Sequence, residues 1–288
     1  MGSGMKPTVA VIAPGNMGAA VGARLTEHGV KVITSLAGRS AASVKRAADA
    51  GMTDANDAEI AAAEIVLSIV PPGDAQALAE RLTPALRAAN RKPVYVDCNA
   101  VSPKSAIAIG DTLADAGCPY VDGGIIGGPP SPGSKGPSIY VSGADAGRVE
   151  QLGHYSLRIR SMGGKIGDAS ALKMAYAGLN KGMVALGTAM VLAADRAGVG
   201  DALHAELAES QAAMLGQLSR GVPGMFPKAY RWVAELEEIA RFAGPGAEAE
   251  IFDGIARLYD RIAKDVEGPN SETGTLARFY GAAPSRAK

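Results

Sequence analysis

The longest regular pattern in the chain is helical and covers residues 167–198. This stretch contains no proline, and apolar residues occupy nearly every face of the helix that it would form. At the usual rise per residue the helix would be roughly 45–50 Å long, and a helix that is apolar on all sides is normally packed inside protein. Lys173 and Asn180 interrupt it on one shared face. We therefore expect these two polar side chains to have a function.

Before this helix, short β-branched runs alternate with helical patterns. Alternation of this kind predicts an α/β domain built on a parallel, doubly wound sheet, with its ligand at the carboxyl ends of the strands. The predicted strands cover residues 8–13, 30–35, 51–53, 65–70, 93–98, 119–122, 138–142 and 158–161.

The first predicted strand ends in a glycine-rich turn that leads into a helix. Strand, turn, helix and next strand together span about 30 residues, which is the context in which such a turn binds a dinucleotide. Gly15 would let the pyrophosphate approach the backbone, Gly18 would let helix and strand pack closely, and the helix N-terminus would bind the phosphates. A plain tight turn is the alternative. The predicted cofactor residues here are Ala13, Pro14, Gly15, Asn16, Met17 and Gly18.

The end of the second predicted strand distinguishes between the two nicotinamide cofactors. NAD sites usually place Asp or Glu there, where the carboxylate binds the ribose hydroxyls. This chain has Arg39 and Ser40 after Ser35, and we expect no carboxylate at this position. An arginine and a hydroxyl suit a 2′-phosphate, so we predict NADP rather than NAD. The alternative is an ordinary solvated surface charge.

Three further segments follow predicted strands. Two of them are expected to line the cofactor, although each would also serve as a simple connecting loop; their residues are Val70, Pro71, Pro72, Asn99 and Ala100. The third is the glycine-rich run 123–128, whose exposed backbone N–H groups would bind a carboxylate or hydroxyl. A hinge is the alternative for this run, and the two roles are compatible.

After residue 200 the pattern is helical throughout. Three amphipathic helices are predicted over 201–220, 223–243 and 247–266, and the polar tail from Gly268 is expected to be loosely held. The predicted organisation is a dinucleotide-binding domain over 5–165, followed by an all-α domain for substrate binding and dimerisation over 166–288.

Composition narrows the choice of function. Lys plus Arg and Asp plus Glu are equal at 29 each, so no positive excess indicates a nucleic acid or an anionic membrane as partner. Gly, Lys or Asp interrupts every apolar run before about 18 residues, so we expect no membrane span. Cys98 and Cys118 lack metal-ligand spacing, and the three histidines are far apart in sequence, so no metal site is predicted. These features indicate a cytoplasmic protein that acts on a small molecule.

These motifs, in this order, resemble the β-hydroxyacid dehydrogenases, the family of the 3-hydroxyisobutyrate and 6-phosphogluconate dehydrogenases. The resemblance covers most of the chain and is best over residues 8–200. It implies a Rossmann domain, a long interdomain helix and an all-α domain, with active sites that often form across a dimer. The segments that carry it are 13–18 (cofactor turn), 38–40 (the family's Asn-Arg-Thr element), 99–103 (cofactor side), 122–128 (substrate side) and 167–173 (catalytic lysine).

Two departures from the family pattern concern the substrate. Ile126 stands where the family has a serine that touches the substrate, and Ala177 stands where it has an asparagine, which Asn180 would replace. Both changes imply a bulkier or less polar substrate. The run 122–126 is also similar to imine reductases, which share the architecture but lack the lysine, and residues 231–240 resemble a poorly characterised branch of the family.

Within this family the cofactor supplies the hydride, and the protein places the substrate and manages one proton. A lysine at a buried junction can exchange a proton near neutral pH, so Lys173 is predicted to be the general acid/base. Asn180 is predicted to orient the substrate or Lys173. The segment of Ile126, Gly127 and Gly128 is predicted to bind the acidic or polar group of the substrate. The alternative for Lys173 is a surface lysine, and the alternative for Asn180 is an interhelical hydrogen bond.

Three functions are consistent with these features. The first is an NADP-dependent dehydrogenase or reductase of a hydroxy or keto acid that uses Lys173. The second is an imine reductase-like enzyme that is indifferent to this lysine, and the third is an NADP-binding protein without turnover. The long helix also predicts a homodimer, because Gly178, Gly182 and Gly187 permit close helix contact, and Lys181 is interpreted as a solvated or interface charge.

Overall fold

A computed structural model describes residues 6–281. The chain divides into two compact units, Met1–Met174 and Ala175–Lys288. The division falls inside the long helix, whereas the predicted domain boundary after residue 165 lies before it.

The first unit is organised around one mixed β-sheet. Its strands pair in the order β3-β2-β1-β4-β5-β6-β7-β8. All neighbouring pairs are parallel except β6 and β7, so β7 and β8 run opposite to the others. The predicted parallel, doubly wound sheet is confirmed, with this antiparallel extension. The strands are β1 (Thr8–Ile12), β2 (Lys31–Thr34), β3 (Thr53–Asp54), β4 (Ile65–Ser68), β5 (Val94–Asp97), β6 (Tyr120–Ile126), β7 (Ser138–Ser142) and β8 (Arg158–Ser161).

Helices cover both faces of this sheet. Alternate residues of β1 enter different cores: Val9 and Val11 pack in one, and Ala10 and Ile12 in the other. Burial on both faces explains why the strands are apolar throughout rather than alternating. The helices are α1 (Asn16–Glu27), α2 (Ala41–Asp49), α3 (Asp57–Ala61), α4 (Ala75–Ala88) and α5 (Pro103–Ala114).

Strand β6 is longer than predicted, because it includes most of the glycine-rich run. Gly123 pairs with Val141 of β7, and Gly124 pairs with Tyr140. A Cβ atom on Gly123 would lie 2.8 Å from the carbonyl oxygen of Asp97, so only glycine fits there. The prediction of exposed N–H groups is therefore wrong for residues 123–125, which are buried strand residues, and it stays a prediction for Ile126, Gly127 and Gly128.

The second unit is helical, as predicted. The long helix is confirmed as α6 (Asp168–Arg196), and the others are α7 (Gly200–Ser210), α8 (Ala212–Met225), α9 (Ala229–Ala243), α10 (Ala247–Glu267) and α11 (Ser271–Phe279).

Two details of this unit differ from the prediction. The first break falls at Gln211 rather than at 221–223. Pro223 lies in the last turn of α8, next to the fully buried Val222. The tail forms α11 instead of a loose segment as far as residue 281. The carboxylate of Asp265 accepts hydrogen bonds from the N–H and hydroxyl groups of Ser271 and Thr273, and these bonds fix the start of α11.

By length and composition alone, α6 would also pass as a membrane-spanning helix, with a mean hydropathy of 1.3 over its most apolar window. Gly, Lys and Asp interrupt its apolar runs, so the length of uninterrupted apolar runs does not indicate it. Of that window, 44% is buried within the protein, and core helices of soluble proteins have the same composition.

Candidate active site

Hydrogen bonds join the loops that follow β1, β4 and β5. The N–H of Ala13 donates to the carbonyl of Ile69 at 3.2 Å, and the N–H of Val70 donates to Oδ1 of Asn99 at 2.7 Å. The amide of Asn99 in turn donates to Oγ of Ser68 at 2.8 Å. These loops surround the point between β1 and β4 where the strand order reverses, and open α/β sheets bind ligands at such a point.

The turn after β1 fits a dinucleotide. Gly15 has an extended conformation, and α1 begins after it without a side-chain cap and without an acidic residue in its first turn, which contains Asn16 and Met17. A Cβ atom on Gly15 would meet nothing within 4 Å, whereas one on Gly18 would clash with the carbonyl oxygen of Ala13. Gly15 therefore leaves space open, and Gly18 is needed for packing. An uncapped helix N-terminus beside open space is suited to bind a phosphate.

Arg39 and Ser40 lie on the loop between β2 and α2. The N–H of Arg39 donates to the carbonyl of Leu36 at 3.0 Å, and Oγ of Ser40 caps α2 by accepting from the N–H of Ser43. Arg39 is half-buried and Ser40 is exposed. This loop follows β2, which pairs with β1, the strand that leads into the glycine turn.

One basic residue of α2 contacts the turn directly, a contact that the sequence did not predict. Arg46 on α2 donates from Nε to the carbonyl of Pro14 at 3.1 Å and from Nη2 to Oγ of Ser43 at 2.8 Å. Its spacing of three residues from Ser43 places both side chains on one face of α2. That spacing was the available signal, but it does not show which face meets the turn.

The expectation that no carboxylate lies at the end of β2 is wrong. Asp54, on the neighbouring strand β3, accepts from the N–H of Leu36 at 2.9 Å and from the N–H of Ala55 at 3.0 Å, both through Oδ1. It is exposed. Because Asp54 is far from β2 in sequence, only the strand pairing shows that it fastens the loop that carries Arg39.

A protonatable group lies beneath the loop after β5. Asp97 is 1% exposed, and Oδ1 accepts from the N–H of Asn99 at 3.0 Å. Burial raises the pKa of Asp97 to about 7, and the negative charge of Asp122 adds to that rise. Asp97 and Asp122 are paired across β5 and β6. No sequence motif indicated this carboxyl group.

Asp122 holds the start of α6. It is fully buried, and its Oδ2 accepts from the N–H of Gly167 at 2.9 Å, from the N–H of Ser170 at 3.0 Å and from Oγ of Ser142 at 3.1 Å. Its Oδ1 accepts from Oγ of Ser170 at 2.6 Å. Charge-assisted bonds of this number compensate for the burial of a carboxylate.

Lys173 lies on α6 one turn beyond this contact and is half-buried. A Cβ atom on Gly124 would lie 3.0 Å from Cβ of Lys173 and 2.9 Å from the carbonyl oxygen of Ala169, so α6 rests directly on β6. A Cβ atom on Gly167 would lie 3.2 Å from Cβ of Pro103, which places the start of α6 beside the start of α5. These contacts place Lys173 beside Gly124 of β6, on the part of α6 whose start lies beside α5.

The other predicted site residues have varied surroundings. Val70, Pro72 and Ala100 are half-buried, and Pro71 is exposed. Ile126 is half-buried at the end of β6, where it pairs with Ser138. Gly127 and Gly128 follow it and are exposed, so the predicted role in binding a polar group stays a prediction for these two residues.

Within the helical unit, Asn180 is exposed and its amide donates to the carbonyl of Tyr176 at 2.8 Å. The interpretation of Lys181 as a solvated or interface charge is wrong. Lys181 is 6% exposed, its Nζ lies 2.6 Å from Oε2 of Glu235, and it faces the ring of Trp232. Both partners come from α9, so nothing near Lys181 in sequence indicated its burial.

Comparison with known proteins agrees with this geometry. Residues 8–155 match the family described as the NAD binding domain of 6-phosphogluconate dehydrogenase, and residues 194–262 match a domain of unknown function. An uncharacterised 28.5 kDa protein of Methanothermus fervidus is 28% identical over 216 residues, which are 74% of this chain and 82% of that protein.

Solved structures share the whole architecture. A conserved protein of unknown function, described as structurally similar to 3-hydroxyacid dehydrogenases, is 28% identical with a TM-score of 0.68, over 96% of this chain and 100% of that one. A Mycobacterium tuberculosis 3-hydroxyisobutyrate dehydrogenase solved with L-serine is 17% identical with a TM-score of 0.69. The match covers 91% of this chain and 95% of that one. A Myxococcus stipitatus imine reductase in complex with NADP+ is 20% identical with a TM-score of 0.54, over 95% and 99%. At these identities the last two show a shared fold alone.

Alanine substitutions separate the two uses of glycine in the turn. We expect Gly15→Ala to keep the free energy of unfolding within about 1 kcal/mol of the unmodified protein, because a methyl group there meets only open space. It should weaken NADPH binding by roughly tenfold, because the methyl group keeps a phosphate from the backbone. Gly18→Ala should lose about 2–3 kcal/mol through overpacking.

Urea denaturation and titration of NADPH fluorescence measure the two effects. If Gly15→Ala binds NADPH as tightly as the unmodified protein, Gly15 does not face the phosphates.

Proposed function

The chain belongs to the family of the NAD binding domain of 6-phosphogluconate dehydrogenase, and from this premise we propose that it is an NADP-dependent oxidoreductase in which Lys173 is the general acid/base. The family supports the coarser assignment, a dehydrogenase or reductase that binds a nicotinamide dinucleotide. The proposed reaction is hydride transfer between the nicotinamide and a hydroxy or keto acid or a related carbonyl compound. The enzyme is proposed to be soluble and cytoplasmic.

The contact between α6 and β6 is the observation that carries this proposal. It fixes Lys173 against Gly124 of β6, the neighbour of β5 in the sheet. We propose that the amine reaches the carboxyl edge of the sheet from there. The nicotinamide, when bound, supplies the hydride. The amine of Lys173 would donate a proton to the substrate oxygen during reduction and accept one during oxidation.

Three side chains support the choice of NADP. Arg39 and Ser40 are proposed to bind the 2′-phosphate, with a guanidinium group and a hydroxyl as donors. Arg46 holds α2 against the turn through Pro14 and adds positive charge nearby. Asp54 counts against NADP by its charge, but its Oδ1 is already bound to two backbone N–H groups.

One observation favours a second candidate, an imine reductase-like enzyme that reduces C=N bonds. Ile126 lies at the end of β6, at the position where the β-hydroxyacid dehydrogenases have a serine. An apolar side chain therefore borders the proposed substrate segment. A third candidate binds NADP without turnover. A Lys173 variant separates the first two candidates, and turnover of the unmodified protein separates both from the third.

We also propose a homodimer formed through α6. The predicted contact glycines do not all support it, since Cβ atoms on Gly178 and Gly187 would meet Phe252 and Leu218 of the same helical unit. The exposed face of α6 is instead a stripe of large apolar side chains at alternating spacings of three and four residues, the spacing of a coiled-coil seam. The stripe consists of Tyr176, Leu179, Met183, Leu186 and Met190.

Replacing Lys173 tests the proposed mechanism. We expect Lys173→Ala to lower kcat on hydroxy acids about 10²–10⁴-fold while NADPH binding stays within about twofold, because the lysine acts on the substrate proton. Lys173→Arg should lose nearly as much, because a guanidinium group does not release its proton near neutral pH.

The assay uses a panel of hydroxy acids with NADP+ and a panel of cyclic imines with NADPH. Turnover is followed by the NADPH absorbance at about 340 nm. Imine reduction that is unaffected by Lys173→Ala would favour the second candidate. Tight NADPH binding without any turnover would favour the third.

Replacing Arg39 tests the cofactor choice. We expect Arg39→Ala to raise the Kd for NADP+ by roughly 10–100-fold and to leave the Kd for NAD+ nearly unchanged, because charge-assisted hydrogen bonds to the phosphate are lost. Isothermal titration calorimetry measures both constants. Arg87→Ala, on the exposed face of α4, is the matched control and should bind both cofactors normally. Equal losses for the two cofactors would remove Arg39 as the discriminating residue.

Charge on the stripe tests the dimer. Leu186→Glu should shift the mass measured by light scattering from that of a dimer to that of a monomer, because a carboxylate in an apolar seam is costly to desolvate. Ile251→Glu on α10 is the control: Ile251 is 58% exposed and Leu186 is 60% exposed, but Ile251 lies outside the stripe. A monomeric unmodified protein, or an unchanged dimer in Leu186→Glu, would contradict this interface.

A further inference from the structure

We propose that Asp122 is the positioning residue for Lys173: its buried carboxylate sets the register of α6 on β6 and thereby the place of the lysine amine. This inference rests on the proposed role of Lys173. No sequence motif gives Asp122 this task, and it follows from four hydrogen bonds that meet at one side chain.

The first step concerns the donors at the start of α6. The first N–H groups of any helix have no partner within the helix. Here the N–H groups of Gly167 and Ser170 donate to Oδ2 of Asp122, and the N–H of Ala169 donates to Oγ of Ser142 at 3.0 Å. Side chains of the sheet therefore replace a local capping residue. The helix cannot begin elsewhere without leaving these buried groups unpaired.

The second step concerns the charge. A carboxylate at a helix N-terminus interacts favourably with the helix dipole, and burial strengthens that interaction. Asp122 is fully buried and also accepts from the hydroxyls of Ser142 and Ser170. An amide in its place would turn an NH2 group toward donors, so Asn is a poor substitute although its shape is the same.

The third step links this contact to the lysine. Asp122 and Gly124 are two residues apart on β6 and point to the same face of the sheet. Asp122 binds Ser170, while Gly124 meets Ala169 and Cβ of Lys173. A shift of one residue along α6 would turn the lysine by about 100° around the helix axis. The contact at Asp122 prevents that shift.

The experiment compares Asp122→Asn with Asp265→Asn. Asp265 is the matched control, because it is also buried and also accepts two N–H and two hydroxyl hydrogen bonds at a helix start, that of α11. Both variants should lose stability in urea denaturation. Only Asp122→Asn should alter Lys173.

Two measurements report on Lys173 without a substrate. Competitive acetylation read by mass spectrometry should label Lys173 about three- to tenfold faster in Asp122→Asn, relative to Lys45 of the same molecule. Hydrogen exchange should speed up by at least about tenfold in the peptide over 167–173. Asp265→Asn should leave both rates within about twofold of the unmodified protein. Ser170→Ala removes one of the four hydrogen bonds, so its labelling and exchange rates should rise by smaller factors. This variant replaces Asp122→Asn in the test if Asp122→Asn does not fold.

Unchanged labelling and exchange in both Asp122→Asn and Ser170→Ala would overturn the proposal, and so would equal changes in Asp265→Asn. Failure of the proposed function gives a different result. In that case Lys173→Ala keeps full turnover, while the labelling experiment still reports whether Asp122 fixes the position of the amine.

Discussion

A buried negative charge at the start of the long helix is the constraint on which the rest of the first unit depends. The carboxylate of Asp122 is removed from water, so it is stable only while all of its donors are in place. Those donors come from β7 and from α6, which the carboxylate therefore ties to β6. Asp265 fixes the start of α11 in the same way, and there the pKa of the carboxyl is lowered: burial alone would raise it, but the hydrogen bonds from Thr273 and Ser271 outweigh burial.

The contacts of the predicted cofactor residues divide them into two groups. Asn99 uses both its carbonyl and its amide to join two loops, and Gly18 is needed because the turn passes so close to α1. These residues hold the loops and the turn in position through contacts within the protein. Gly15 and Arg39 are proposed to meet the cofactor itself. A motif match in sequence gives both groups the same weight, and only the contacts separate them.

Periodicity and turn chemistry were sufficient to predict the alternating sheet, the long helix and the glycine turn, because each depends on neighbours in sequence. Three of the errors share one cause, which is that the deciding partner is distant in sequence. Asp54 reaches the end of β2 from β3, Glu235 buries Lys181 from α9, and β7 turns a glycine run into strand. Arg46 was visible as a basic residue, but its contact with Pro14 depends on how α2 lies against the turn.

The extension of β6 also bears on what the proposed enzyme can recognise. Because Gly123 and Gly124 belong to the sheet and Ile126 is apolar, β6 offers a substrate few polar groups before Gly127. Polar recognition would then fall to Gly127, Gly128 and the amine of Lys173. Apolar surfaces discriminate weakly between substrates of similar shape, by a factor of about 10–200 per methylene group. A site of this composition would therefore select mainly for the group that is reduced or oxidised, and it would tolerate variation in the remainder of the substrate.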